Sequence, residues 1–296
     1  MVSLLSLKEM AKFQPSSLVM AVRLSLLLVG SREDGHRFLD PMLLRNPNIK
    51  SDGHVPLIME SQGPRSPLAA FLKDFGPALL RKYNPKVIVV FSAHWETEEE
   101  TLVTDYGDNN PLLYDYYGFE KELYQLTFNS HGDSSTSERV VDLLNKAGIK
   151  ARTTPRLVER MVADSWVQDW ITEYSCRSNS CSGIRPEKNW AIGKALDELR
   201  SQGILIISGG LTIHTFKDPS ALSESTANAH IRGFHTAIID AVHSPPELLK
   251  ASLCALTTLP GFREANPREE HFVPIYVAAG AGEGGAGKVI SSQFGG

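Results

Sequence analysis

Three histidines stand where a strand or a helix would present them to a shared site. The β-branched run Val87-Ile88-Val89-Val90-Phe91 continues into Ser92-Ala93-His94-Trp95. A second apolar run, Ile204 to Ile207, continues through Ser208-Gly209-Gly210-Leu211-Thr212-Ile213 to His214. His271 follows Asn266-Pro267-Arg268-Glu269-Glu270, which reads as the capped, acidic start of a helix. Neutral imidazole is the commonest metal ligand, and three of them on loop edges can build a metal site with open positions. The paired glycines Gly209-Gly210 let the chain turn sharply and approach a neighbour closely. Glu269 and Glu270 would suit a general base of a metal-dependent hydrolase, but first-turn acids at a helix start account for them more simply. His36, His54, His131, His230, His235 and His243 have no such placement and read as non-catalytic. Cys176 and Cys181 lack the second pair that a structural zinc site needs. No Walker-type loop or dinucleotide fingerprint follows any expected strand.

These loops need a scaffold that brings strand ends together. Ser66 to Tyr83 has apolar residues at helical spacing on one face (Leu68, Phe71, Leu72, Phe75, Leu79 and Leu80), and Asn84-Pro85 stops it. Val87–Phe91 lacks polar alternation, as suits a central strand covered on both faces. Ser137 to Ala147 and Asn189 to Gln202 read as amphipathic helices closed by Gly148 and Gly203. A last helix from Pro267 would carry Phe272, Ile275, Tyr276 and Ala279, with Pro274 near its start. Val55 to Met59 reads as a first strand, and Lys288 to Ser291 as an edge strand. Alternating helices and strands imply a single α/β domain around a largely parallel central sheet flanked by helices. In such sheets, sites form beyond the carboxyl ends of the strands.

The chain has 296 residues, 42% hydrophobic and 22% charged, which excludes a disordered tail and a multispan membrane protein. A net charge of -4 argues against a nucleic-acid partner. Three cysteines form no disulfide framework, so the chain reads as intracellular, with the cytoplasm the simplest compartment. Residues 1–54 read as a poorly ordered N-terminal extension, and the domain as residues 55–296. Within the extension, the apolar run Ser17 to Gly30 is too short to span a bilayer and lacks a secretory cleavage site. Lys8, Lys12, Arg23 and Arg32 would also suit an organelle-targeting leader.

Several blocks in order resemble the class III extradiol ring-cleaving dioxygenases of the DOPA 4,5-dioxygenase type. They are Val87 to Trp95, Leu113 to Tyr124, Asn189 to Leu196, Ile204 to His214, and Arg268 to Pro274. The resemblance implies a single α/β domain, a nonheme Fe(II) or Zn(II) centre, and a small aromatic diol and O2 as substrates. It puts the four metal-associated histidines of the family at Gln62, His94, His214 and His271, so the expected metal ligands are His94, His214 and His271. His214 is also the expected acid/base group beside the metal. The sequence gives neither the particular catechol nor an oligomeric state.

Two departures from the family accompany the resemblance. Ser61-Gln62-Gly63 stands where Ser-His-Gly would, and a neutral amide oxygen is a weak substitute for imidazole. Residues 156–184 lack the Leu-Asp-His-Gly block and its apolar continuation. Reading from the third base of the Gln168 codon, with Trp170 fixed as TGG, permits Gly-Leu-Asp-His-Gly-Val-Phe across Gln168 to Tyr174. The expectation is that this stretch is out of frame. As written, the chain would lose a central strand and a substrate-positioning histidine, with low local stability and impaired activity. Two further readings stay open: an inactive metal- or ligand-binding descendant, and a metal-dependent hydrolase on a similar scaffold.

Overall fold

The computed structural model describes residues 18–22, 25–29, 67–91, 93, 97, 100–108, 131–155, 185–215 and 217–292. In chain order the elements are β1 (Leu18–Val22), β2 (Ser25–Val29), α1 (Pro67–Tyr83), β3 (Val87–Phe91), β4 (Thr101–Thr104), α2 (Ser134–Lys146) and β5 (Ala151–Thr154). Then come α3 (Pro186–Ala195), β6 (Ile204–Gly210), α4 (Ala229–Val242), α5 (Pro246–Ala255), α6 (Pro260–Ala265), α7 (Pro274–Ala281) and β7 (Gly287–Ser292). The α/β class follows, as expected. The expected first strand at Val55–Met59 and the departing segment 156–184 lie outside the described residues.

The central sheet has the order β3-β6-β2-β1-β7. β3 runs parallel to β6, with Val87 opposite Ile204 and Phe91 opposite Ser208. β1 and β2 form an antiparallel pair set between β6 and β7. The outer pairings β3–β6 and β1–β7 are parallel, and the two pairings of β2 are antiparallel. Residues 18–22 and 25–29 belong to the stretch expected as an extension, and here their backbone supplies two strands of the sheet. A separate parallel pair, β4 and β5, carries helix α2 against it.

β3 and β6 are buried on both faces, which is why neither alternates polar and apolar residues. Ile88, Leu205 and Ile207 pack under Phe75, Leu79 and Tyr83 of α1. The opposite pleat of the same strands, Val89, Phe91, Ile204 and Ile206, joins the larger core with Trp190, Phe234, Phe262, Phe272 and Tyr276. Burying each such side chain stabilises by about 1.5–3 kcal/mol relative to exposure.

Helices α3 and α7 cross with glycines at the contact. A Cβ on Gly193 would lie 1.8 Å from the Val277 carbonyl oxygen, and one on Gly280 would lie 2.1 Å from that of Trp190. Local rules set the helix ends. Asn84 ends α1 with φ +45°, and Gly148 and Gly203 follow their helical turns with φ +77° and +79°. Asp133 and Asn228 cap α2 and α4 by accepting from the backbone N–H of Thr136 and Ile231. The expected helix Asn189–Gln202 is instead α3 followed by a 3-10 turn over Asp197–Gln202.

The largest correction concerns the last helix. It begins at Pro274, and residues 267–273 form bends and turns. Proline has no N–H to donate, so it sits naturally at the first helical position and not inside a longer helix. His271 thus lies on a turn preceding α7, and Asn266 is not a helix cap. Its amide instead donates to the Thr212 carbonyl at 2.9 Å.

Candidate metal centre

The site is built where two stretches of chain meet: residues 211–215 after β6, and residues 266–273 before α7. Backbone hydrogen bonds join them. Leu211 N–H donates to the His271 carbonyl at 2.8 Å, and His214 N–H donates to the Ala265 carbonyl at 2.8 Å. The Ser208 hydroxyl, wholly buried, donates to the Pro274 carbonyl at 2.8 Å. Gly210 lets the two stretches touch, since a Cβ there would lie 2.1 Å from the His271 carbonyl oxygen. The glycine pair Gly209-Gly210 therefore makes the close approach expected of it, while staying in β6 rather than turning sharply.

This stitching brings two of the expected site residues together. The imidazoles of His214 and His271 have ring centroids 3.8 Å apart, with planes inclined by 38°. His271 is buried, at 3% exposure. The other two expected positions, His94 and Gln62, lie outside the described residues. The register of β3 on β6 brings the end of β3 beside the start of the turn that leads to His214.

Sequence reasoning weighed Glu270 only as a hydrolase base and set it aside as a helix-start acid, and that helix start is not formed. The tandem acids divide. Glu269 is partly exposed and pairs with the exposed Arg263 at 2.7 Å. Glu270 faces inward and is buried, and its Oε1 lies 3.5 Å from His214 Nδ1. Its Oε2 lies 3.5 Å from Arg268 Nε. Burial alone would raise the Glu270 carboxyl pKa, but the His214 imidazole, its own backbone and Arg268 outweigh burial and leave it below the ordinary glutamate value. The missed signal was Pro274: a helix that starts there frees residues 267–273 to turn one acid inward and pair the other with Arg263.

One ligand atom each from His214, Glu270 and His271 fall within 4.8 Å of one another, so the three could hold a metal ion. Ligands 2.0–2.1 Å from a tetrahedral ion sit about 3.3 Å apart, so a modest contraction would close the group. Among the described residues no other histidine joins it. His131 contacts the Asp108 carbonyl, His230 pairs with Glu264, His235 meets the Ser292 hydroxyl, and His243 ends α4. Among the described residues no helix is long and apolar enough to cross a membrane.

Comparison with known proteins agrees with this picture. The family model described as the catalytic LigB subunit of aromatic ring-opening dioxygenase matches residues 52–295. A Schizosaccharomyces pombe protein called 4,5-DOPA dioxygenase extradiol-like is 37% identical over 235 residues, covering 76% of this chain and 77% of its own. The 4,5-DOPA dioxygenase extradiol of Beta vulgaris is 28% identical over 239 residues, 78% of this chain and 85% of that one. Dioxygenase tasH of Hapsidospora irregularis is 25% identical over 223 residues, 67% of this chain and 64% of that one. Dioxygenases of this family are metal-dependent and take an aromatic substrate with O2, which suits two imidazoles and a carboxylate meeting beyond the end of a central strand. With its match spanning most of the sequence, the chain belongs to the LigB family of aromatic ring-opening dioxygenases.

Proposed function

We propose that the protein cleaves the ring of a catechol beside one of its hydroxyls, using O2 and a divalent metal, Fe(II) or Zn(II), at this site. The observation that carries the reading is the buried meeting of His214 and His271 in a chain of this family. DOPA-like catechols are the first substrates to try, since that is what the named relatives are called after.

The residues gathered at this site fit a metal. Two imidazoles and an anionic carboxylate form a donor set suited to a borderline divalent ion. His214 and His271 would hold it, with His94 as the further expected ligand. When bound, the metal would act as a Lewis acid toward the diol and as a template for both reactants. The chain's own residues do the rest. The hydrogen bonds from Leu211 to His271 and from His214 to Ala265 fix both loops, which holds the imidazoles to a narrow range of positions. The burial of His271, Thr212 and Phe272 keeps bulk water from that side of the site. The alternative role of His214 is general base, taking a proton from the catechol hydroxyl at a ring nitrogen. Glu270 Oε1, 3.5 Å from Nδ1, is placed to orient the imidazole ring.

Anaerobic loading of the full chain with Fe(II), followed by a catechol and O2, tests the reading. The expected result is a yellow ring-fission product formed with matching O2 uptake. Metal binding with no O2 uptake over a panel of catechols would overturn it in favour of an inactive descendant. Hydrolysis of an activated ester, without O2 uptake, would favour a hydrolase that uses Glu270 as its base.

A further inference from the structure

We propose that Asn266 is a positioning residue of the metal centre: its carboxamide holds the turn carrying His214 in register with the turn carrying His271. The inference rests on the metal-centre part of the proposed function and gives a role to a side chain that touches neither imidazole's motif. Asn266 is fully buried, at 0% exposure. Its backbone N–H donates to the Phe262 carbonyl at 2.8 Å, which closes the last turn of α6 and anchors the residue to the core through Phe262 and Ala265. From that anchor its Nδ2 donates to the Thr212 carbonyl at 2.9 Å. Three hydrogen bonds thus tie residues 211–214 down: Leu211 N–H to His271, Asn266 Nδ2 to Thr212, and His214 N–H to Ala265. The outer two join backbone to backbone. The middle one depends on a side chain, and it restrains the chain between the other two.

This side chain is costly to keep for packing alone. Among the described residues Asn266 Oδ1 has no hydrogen-bond partner, although it is buried. A buried acceptor left unpaired opposes folding, so a leucine of similar shape would fill the space without that cost. What leucine lacks is a donor for the Thr212 carbonyl. Groups that orient metal ligands from outside the coordination shell typically change metal affinity by about tenfold to a hundredfold when removed. Asn266 acts one step further out, through the backbone of the His214 turn, so the lower end of that range is expected of it.

The test needs no turnover. Zn2+ is titrated by calorimetry into the full metal-free chain, into Asn266→Leu and into Ser137→Ala, and the visible spectrum of each Co2+-loaded protein is recorded. Ser137→Ala is the control: it removes another buried side-chain bond, from the Ser137 hydroxyl to the Thr104 carbonyl at 3.0 Å, away from the site. Circular dichroism checks that the variants are folded. The expected result is Zn2+ affinity weaker by about fivefold or more in Asn266→Leu, with a changed Co2+ spectrum, while Ser137→Ala keeps the wild-type spectrum and loses less affinity. A smaller loss in folded Asn266→Leu, an unchanged Co2+ spectrum, or an equal loss in Ser137→Ala overturns the proposal. By linkage, a restraint that tightens Zn2+ binding is itself tightened by Zn2+ by the same factor. Zn2+ should therefore slow hydrogen exchange at the wild-type Asn266 side-chain amide by about fivefold or more, read by NMR. Less slowing overturns the proposal even if Asn266→Leu does not fold. A wild-type chain that binds no Zn2+ refutes the metal centre and this proposal together. Ring cleavage is read separately, so a chain that needs Asn266 to bind Zn2+ yet turns over no catechol would refute the proposed function alone.

Discussion

Gly210→Ala should damage the metal centre from a position that offers no ligand. The new Cβ would fall 2.1 Å from the His271 carbonyl oxygen and 3.1 Å from Pro274 Cγ. Real Cβ contacts essentially never fall below 3.0 Å. The β6 strand and the turn carrying His271 must therefore part by about 1 Å, because the obstacle is backbone and cannot rotate away. Parting also strains the hydrogen bond from Leu211 N–H to that carbonyl. Overpacking costs about 1–3 kcal/mol and the weakened hydrogen bond about 1 kcal/mol more. The expected destabilisation is about 2–4 kcal/mol, read as a lower thermal midpoint. Metal sites tolerate ligand displacements of only about 0.2 Å, so Zn2+ affinity should fall by about tenfold to a hundredfold. Gly233→Ala is the control: nothing lies within 4 Å of its added Cβ, and an alanine inside α4 should be neutral or stabilising by about 0.5–1 kcal/mol. Scanning calorimetry and Zn2+ titration of both variants check this. A Gly210→Ala protein that matches wild type in midpoint and in Zn2+ affinity would refute the argument that β6 and the His271 turn are in obligatory contact.

Four other outcomes are expected. Gly193→Ala and Gly280→Ala each force α3 and α7 apart, since their Cβ atoms would meet backbone oxygens at 1.8 and 2.1 Å, and each should lower stability by about 3 kcal/mol in denaturant titration. Tyr276, in α7, has its phenol pKa pushed up, first by burial and then by Cys254 and Glu187. The unfolded chain therefore releases that proton near pH ~10 while the folded chain retains it, so stability falls as pH rises above that point. Tyr276→Phe should then keep more of its neutral-pH stability in alkaline unfolding than wild type does. A chain lacking residues 1–29 should aggregate in sedimentation, because it strips partners from the edges of β6 and β7. Finally, sequencing the transcript across residues 156–184 should reveal the shifted frame that encodes Leu-Asp-His-Gly; a message continuous in the present frame would count against the out-of-frame reading.

Much of the scaffold was legible because its signals are local. The unbroken apolar runs of β3 and β6 announce strands buried on both faces, and they are. Gly148 and Gly203 announce the ends of helical turns because only left-handed backbone can close them cheaply. Two-strand pairs such as β4 and β5 escaped notice, since four-residue strands carry too little pattern to stand out. The strands β1 and β2 escaped for a different reason. Their apolar run could equally suit a leader, and only pairing with distant β6 and β7 makes them part of a sheet.

The site divides the same way. The sequence alone determined the chemical inventory: which imidazoles follow a strand, that residue 62 is glutamine, and that two glutamates precede His271. Those are facts of order and residue type, and order and type are what a sequence contains. Only the tertiary structure decided that Pro274 starts α7, that the turn before it crosses the end of β6 at Gly210, and that Glu270 faces His214 while Glu269 pairs with Arg263. These choices depend on hydrogen bonds and close contacts between residues some sixty positions apart, such as Leu211 with His271. No local propensity encodes such a pairing, because its free energy exists only once both stretches have folded against each other.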